Sequence, residues 1–132
     1  VIKELCELDN NINIILLGSE NGKHDEKTIM NFSSSCNVIS YVDQLTYNQS
    51  AEIIRRSKLL FCCDGGLMHA ANAFLTPIIV LFARLDEKMQ LTNSCRALSL
   101  YDSSNVNNIG VKYLIEKYNK ATNFFDSHRQ NE

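Results

Sequence analysis

Short, continuously apolar runs alternate with amphipathic stretches along the chain. The apolar runs predict strands at residues 12–17, 38–41, 58–62 and 78–82, with a less apolar strand at 97–100. The stretches between them predict helices at residues 25–32, 46–56, 67–74 and 109–120. Strands without a polar face belong in a parallel sheet that is covered on both sides. The pattern therefore predicts an α/β fold, a Rossmann-like parallel sheet with helices on both faces.

Local signals and chain length suggest where these elements and the domain begin and end. Thr46 and Gln49 have the spacing of a capping box, so the second predicted helix should begin there. The 132 residues fit one compact domain, which we assign to residues 1–126, with the polar residues 127–132 as a disordered tail. The chain starts at Val1 within a helical pattern, so we expect a fragment of a longer protein.

The composition excludes several classes of protein. The net charge is −2 and 21% of residues are charged, so the chain has no excess of basic residues with which to bind phosphate backbones. We therefore predict no nucleic-acid partner. No apolar run reaches the ~20 residues of a membrane span. The five cysteines form no CxxC pair, a usage that fits a reducing cytosol. Adjacent cysteines can be redox-active, but Cys62 and Cys63 lie on a predicted apolar strand, so we interpret them as small core residues.

The candidate chemistry lies where the strand at 58–62 meets the next helix. Asp64 is followed there by Gly65 and Gly66, and His69 falls in the first helical turn. Ligands of open α/β sheets bind beyond the carboxyl ends of the strands, and helix N-terminal N–H groups bind phosphate. Glycine lets a ligand approach the backbone closely. Asp64 would repel a bare phosphate, so its carboxylate is better suited to accept hydrogen bonds from sugar hydroxyls.

Several of these features also have a purely structural explanation. A Gly-Gly turn alone fits a tight strand-to-helix connection, and a lone histidine early in a helix is often a surface residue. The His-Asp-Glu run at 24–26 lacks partners at metal-ligand spacing, so it predicts a charged helix start, and we predict no metal site. Glu52, Arg55 and Arg56 are interpreted as a solvated helix face.

The glycine turn and the strand after it resemble a known family. Residues 64–71, Asp-Gly-Gly-Leu-Met-His-Ala-Ala, lead through a short helix and Pro77 into a strand ending Leu-Phe. This order resembles the Asp-Thr-Gly-x-x-His-x-Ala segment of the ADP-heptose:lipopolysaccharide heptosyltransferases, the family-9 glycosyltransferases, with its helix, Pro and Leu-Phe-Gly strand. Residues 14–20 resemble the family's strand ending in Gly-Gly-Pro-x-Glu, and residues 45–58 resemble its following helix.

The resemblance implies the C-terminal, donor-binding half of a two-domain GT-B enzyme. Asp64 would hold sugar hydroxyls, and His69 would lie near the diphosphate. Leu45 would lie against the adenine, and Glu20 would accept hydrogen bonds from the ribose hydroxyls. Backbone N–H groups would hold the diphosphate at Gly65, Gly66, Leu67 and Met68. The catalytic base and the acceptor site would belong to the missing N-terminal domain, so we expect no catalytic residue in this fragment.

The sequence departs from the family pattern at two places that bear on the donor. Gly65 stands where the family usually has Thr, which removes a hydroxyl donor. Phe82-Ala83-Arg84 replaces the usual Phe-Gly-Pro after the fourth strand. The family's phosphate-binding Lys would lie upstream of Val1.

The resemblance thus predicts a glycosyltransferase that moves a heptose from ADP-heptose to a lipopolysaccharide-core acceptor, bound through the missing N-terminal domain. The fragment should be inactive alone and should need no cofactor. We expect a cytoplasmic location, with peripheral association at the inner membrane face as an alternative. Two other functions stay open: the donor domain of another GT-B enzyme that uses a different nucleotide sugar, and a non-catalytic binding domain in which the glycine turn is only structural.

Overall fold

The computed structural model describes residues 1–32, 36–83, 90–91 and 97–129, and for residue 32 and residues 124–129 only the backbone. In chain order these residues form α1 (Ile2–Leu8), β1 (Asn13–Leu16), a 3₁₀ turn (Glu20–Gly22), α2 (Lys23–Phe32), β2 (Asn37–Ser40), α3 (Tyr47–Arg56), β3 (Leu60–Cys63), α4 (Gly66–Ala73), β4 (Ile78–Phe82), β5 (Ala97–Tyr101), a second 3₁₀ turn (Val106–Asn108) and α5 (Val111–Arg129).

The chain divides into two compact units, Val1–Ser50 and Ala51–Glu132. The first contains the parallel pair β1–β2. The second contains a parallel sheet in the order β3-β4-β5. Parallel strands flanked by helices confirm the predicted Rossmann-like α/β class. The assignment of residues 1–126 to one nucleotide-sugar-binding domain stays a prediction.

Side chains of the β1–β2 pair alternate between exposed and half-buried positions. Ile15 lies beside Ile39 on the exposed face, at 40% and 41% exposure. On the same face the Asn37 side-chain amide donates a hydrogen bond to Asn13 Oδ1, at 2.7 Å. This pair therefore has a mixed polar and apolar exposed face, and only its other face is sheltered.

The core of the second unit is built around β4. All five of its side chains are buried, as expected for the central strand of a parallel sheet with cover on both faces. Met68 from α4 and Leu114 from α5 are also buried. The buried Thr76 hydroxyl donates to the Ile54 carbonyl at 3.2 Å, so this polar group in the core keeps a partner.

The predicted element boundaries differ from the observed ones by a few residues. β3 begins at Leu60 rather than at residue 58, and α4 begins at Gly66, one residue before the predicted start. The last helix continues to Arg129, so residues 127–129 of the predicted tail form its end, and residues 130–132 lie outside the described residues. In the portion of the chain that the structure describes, no helix has both the length and the apolarity needed to cross a membrane.

The predicted capping box is confirmed at the start of α3. The Thr46 N–H donates to Gln49 Oε1 at 2.9 Å, and the Gln49 N–H donates to Thr46 Oγ1 at 3.4 Å. Each side chain thus satisfies a backbone donor of the other residue.

The cysteines differ from their sequence interpretation in two ways. Cys6 and Cys36 form a disulfide within the first unit, with their Cα atoms 5.3 Å apart. No sequence motif predicts this bond, because the two residues are separated by 30 positions. In β3, Cys62 is half-buried, but Cys63 is exposed, so the core interpretation is wrong for Cys63. Alternation along the strand places Cys63 on the same exposed face as Phe61.

Candidate functional site

The Asp64-Gly65-Gly66 turn lies at the carboxyl end of β3, as the sequence predicts. The Asp64 N–H continues the parallel ladder by donating to the Leu81 carbonyl of β4, at 3.2 Å. Helix α4 then begins at Gly66. The turn therefore occupies the edge of the sheet at which α/β proteins bind their ligands.

The N-terminus of α4 carries no side-chain cap. Gly65 is its N-cap residue, and glycine has no side chain with which to accept a hydrogen bond. The carbonyl of Gly65 accepts from the N–H groups of Met68 and His69, at 3.1 and 3.4 Å. Within the described chain, no acceptor faces the N–H of Leu67. The positive end of the helix dipole and the Leu67 amide thus stay available to an anion, whereas the Met68 amide already has a partner.

The backbone at Gly65 is extended, with φ 161° and ψ −176°. A Cβ built on Gly65 would meet no atom within 4 Å. The space next to this residue is therefore open, both to an approaching ligand and to the threonine that the family usually carries. Glycine is not required here by the backbone conformation.

The Asp64 carboxylate is half-buried beside this helix end. Within the described residues it takes part in no hydrogen bond and no ion pair, and the cap position belongs to Gly65. Within the described residues, the Asp64 side chain therefore does not cap α4. His69 is exposed in the first turn of α4. The arrangement combines a positive helix end with a neighbouring carboxylate acceptor, which suits a ligand that has both a phosphate and hydroxyl groups.

The two free thiols in β3 are poor nucleophiles. Burial raises the pKa of Cys62 to about 12, and the neighbouring Cys63 and Asp64 add to the effect. Burial, followed by the charge of Asp64, also raises the pKa of Cys63. Both thiols are therefore protonated at neutral pH, and covalent catalysis through them is disfavoured.

Glu20 and Leu45 lie in the first unit. Glu20 is exposed at the start of the 3₁₀ turn after β1, and Leu45 is half-buried between β2 and α3. The segments that carry them are joined, because the Asp43 N–H donates to the Gly18 carbonyl at 2.8 Å. Both residues follow the carboxyl ends of paired parallel strands, so the structure places them at the same edge of the β1–β2 pair.

Sequence reasoning missed a polar loop at the carboxyl end of β5. The Asp102 N–H donates to the Phe82 carbonyl at 3.1 Å, so Asp102 and Asp64 flank the end of β4. Asp102 Oδ1 accepts from the N–H groups of Ser104 and Asn105, both at 2.9 Å. These backbone bonds are the main cause that lowers the pKa of Asp102 to about 2. The Asp-Ser-Ser-Asn order is a recognisable Asx-turn signal that could have revealed this loop.

In the described part of the chain, no three His, Cys, Asp or Glu side chains come together as metal ligands. The site is thus defined by a helix end, a glycine turn and a carboxylate. An α/β sheet with such a turn at its carboxyl edge is the arrangement of proteins that bind nucleotides or phosphorylated sugars.

Comparison with known protein families identifies the family to which this chain is related. The model of glycosyltransferase family 9 (heptosyltransferase) matches residues 1–117. Because the match spans most of the chain, the chain belongs to glycosyltransferase family 9. The resemblance of the glycine turn to this family is thereby confirmed, and the match extends beyond both ends of the similar segments. No curated protein and no solved structure matches the chain.

Proposed function

We propose that this chain is the donor-binding half of a GT-B glycosyltransferase that moves a heptose from ADP-heptose to a lipopolysaccharide-core acceptor. Membership of glycosyltransferase family 9 supports the class of reaction. The observation that carries the donor assignment is the N-terminus of α4 without a side-chain cap, beside the Asp64 carboxylate, which has no hydrogen-bond or ion-pair partner among the described residues. The acceptor, the catalytic base and the cytoplasmic location are assigned by the family resemblance alone.

In this proposal the two parts of the turn bind different parts of the donor. The diphosphate lies at the N-terminus of α4, where the helix dipole and the Leu67 amide stabilise negative charge. Stabilising the departing diphosphate lowers the barrier to sugar transfer. The open space at Gly65 admits the diphosphate close to the backbone. Asp64 accepts hydrogen bonds from hydroxyls of the sugar, and His69 lies in the same helical turn.

The first unit would contribute to nucleoside recognition. Glu20 has an exposed carboxylate that is suited to the two ribose hydroxyls, and Leu45 offers an apolar side chain to the adenine. The base that activates the acceptor hydroxyl is assigned to an N-terminal domain, together with the acceptor site. The chain by itself should then bind the donor without transferring its sugar.

Replacing Asp64 by Ala in the full-length enzyme tests the donor assignment. We expect unchanged thermal melting, since Gly65 is the N-cap of α4 and the Asp64 side chain forms no hydrogen bond or ion pair with the described residues. The affinity for free ADP should be nearly unchanged, because the helix amides still hold the diphosphate. The affinity for ADP-heptose should fall by about 10- to 100-fold, because a hydrogen bond to a charged group contributes roughly 1.5–3 kcal/mol. Calorimetry with both ligands measures the difference.

Two further variants control this experiment. Asp64→Asn keeps an oxygen acceptor without the charge and should retain part of the ADP-heptose affinity. Glu116→Gln removes an exposed carboxylate on α5 and should change neither ligand's binding. Equal weakening of ADP and ADP-heptose by Asp64→Ala would show that Asp64 does not bind the sugar.

The main alternative is that the donor is a different nucleotide sugar. The observation that favours this alternative is Gly65, which stands where the family usually has Thr and so removes a hydroxyl donor. Titration of the full-length protein with ADP, UDP and GDP separates the two. A preference for ADP supports the adenine assignment of Leu45, whereas tighter binding of UDP or GDP would replace ADP-heptose as the donor. The absence of binding to all three would favour a non-catalytic domain.

A further inference from the structure

The Cys6–Cys36 disulfide joins two residues of very different accessibility. Cys6 belongs to α1 and is only 2% exposed. Cys36 lies directly before β2 and is partly exposed. One end of the bond is therefore buried, while the other end is partly exposed.

We propose that Cys36 is a thiol-modification site, at which a small thiol such as glutathione exchanges with the disulfide. The glutathione thiolate attacks Cys36 Sγ, and a new S–S bond forms as the Cys6–Cys36 bond breaks. The bonding electron pair leaves on Cys6 Sγ, which takes a proton from solvent. The product is a mixed disulfide at Cys36 with a free Cys6 thiol. A second glutathione thiolate attacks the glutathione sulfur, which releases glutathione disulfide and leaves both cysteines reduced.

Two effects decide which sulfur is attacked, and they oppose each other. Attack at Cys6 would expel the Cys36 thiolate, which is the better leaving group because solvent stabilises it. Attack at Cys36 expels the less well solvated Cys6 thiolate. Exchange nevertheless requires the incoming thiolate to reach the sulfur in line with the bond. At 2% exposure Cys6 offers no such path, so access directs the reaction to Cys36.

The modification also changes the stability of the first unit. The bond closes the segment from Cys6 to Cys36, which contains β1, α2 and Glu20. Breaking it enlarges the unfolded ensemble, because a loop with a sequence separation of 30 is no longer closed. The melting temperature of the modified protein should then be lower by on the order of 10 °C. This inference stands apart from the proposed sugar transfer, since it concerns neither the donor nor Asp64.

Peptide mapping by mass spectrometry tests the site. The oxidised protein is incubated with reduced glutathione at neutral pH, quenched with acid, digested and mapped. We expect the glutathione adduct on the Cys36 peptide to exceed that on the Cys6 peptide by about tenfold or more, as access predicts. Cys63 is an internal reference, because it is exposed but is a free thiol, with which reduced glutathione forms no mixed disulfide in the absence of an oxidant. Equal adduct on Cys6, or an isolated protein without the cross-link, would overturn the proposal.

A matched pair of variants gives the same comparison without the disulfide. In Cys6→Ser, glutathione disulfide should modify Cys36 in the native state. In Cys36→Ser, Cys6 should stay unmodified until the protein is unfolded with guanidinium. Should either variant fail to fold by circular dichroism, native labelling of the reduced wild-type protein with a maleimide makes the same comparison. Labelling of Cys6 as fast as Cys36 under native conditions would contradict the proposal.

Discussion

Helices α3 and α4 both follow a parallel strand, but their first turns are closed in different ways. At α3 the side chains of Thr46 and Gln49 satisfy each other's backbone N–H groups. At α4 the N-cap is Gly65, and the turn has only the carbonyl of Gly65 as an acceptor for Met68 and His69. The start of α3 is thus capped by side chains, whereas the start of α4 has no side-chain cap.

The other end of α4 shows that this openness belongs to its N-terminus. The Thr76 N–H donates to the Ala71 carbonyl at 2.9 Å, and the Leu75 N–H donates to Asn72 at 3.2 Å. Together with a left-handed Leu75, at φ 56°, these bonds form a Schellman motif. Helix α4 is thus closed by a backbone motif at its C-terminus and has no side-chain cap at its N-terminus, the end at which we propose that the donor binds.

Closing the α4 N-terminus with a charged cap should have the largest effect on ligand binding. Gly65→Asp places a capping carboxylate where we propose the diphosphate lies, and the extended backbone and open space accept the side chain. Affinity for ADP should fall by about tenfold or more, since like charges near a protein surface repel by on the order of 1–4 kcal/mol. Calorimetry with ADP measures it. Gly65→Ser caps without charge and should weaken ADP binding less than Gly65→Asp does. Equal loss in both variants would mean that the side chain, not its charge, blocks the site.

Opening the α3 N-terminus is the converse experiment. Thr46→Ala removes the acceptor for the Gln49 N–H and should cost about 1 kcal/mol of unfolding free energy, the usual value of such a cap. Urea denaturation gives the value. Asn48→Ala, in the same turn of α3, is the control and should cost less. A Thr46→Ala variant as stable as the wild type would show that its cap is not a stabilising one.

Replacing Leu75, which has a left-handed backbone conformation at the end of α4, by glycine should slightly raise the free energy of unfolding. A non-glycine residue in this conformation costs roughly 1–2 kcal/mol, whereas glycine loses roughly 0.5–1 kcal/mol more backbone entropy on folding. Leu75→Gly should therefore gain about 0.5 kcal/mol, the difference between these costs. Leu75→Ala keeps the strain and should gain nothing. A lower melting temperature for Leu75→Gly would mean that the half-exposed Leu75 side chain makes contacts worth more than the strain.

The smallest effect concerns the exposed face of α3, where Glu52 forms ion pairs with Arg55 and Arg56. The hydrogen bonds from Arg55 and then Arg56 lower the pKa of Glu52 to about 2, from 4.5. A depressed carboxyl pKa stabilises the folded state above pH 4.5, and this contribution is lost as the pH falls through about 2. Glu52→Gln should thus be less stable than the wild type at pH 7 and equally stable near pH 2. Thermal melting across this range checks the convergence, and added salt should reduce the difference at pH 7.

The sequence was most informative where one local rule decides the structure. A run of five apolar residues after Pro77 is too short for a helix and rich in β-branched residues, so it predicts a covered strand, and β4 has the predicted bounds. Thr46 and Gln49 specify the start of α3 through short-range hydrogen bonds. The Asp64–Gly66 turn was found because a strand, an acid and two glycines are consecutive in the chain. The charged run on α3 was interpreted correctly as a solvated face, since its ion pairs also lie within one helix.

Features that depend on contacts between distant segments could not be predicted in this way. The Cys6–Cys36 bond depends on how α1 lies against the start of β2, which no local pattern encodes. The exposure of Cys63 depends on which segments cover that face of β3, and the sequence of the strand itself does not encode this. That Gly65 rather than Asp64 is the cap of α4 depends on backbone angles within the turn.

The open, unstrained surroundings of Gly65 have an evolutionary consequence. Changes in ligand preference usually destabilise a protein, because the positions that contact ligands are also needed for folding. Residue 65 escapes that trade-off, since its backbone is extended and a side chain there meets no neighbour. Substitutions at residue 65 can therefore change ligand binding with little effect on the free energy of unfolding. If the diphosphate lies where we propose, glycine or threonine at this position should differ in donor binding and hardly in folding stability.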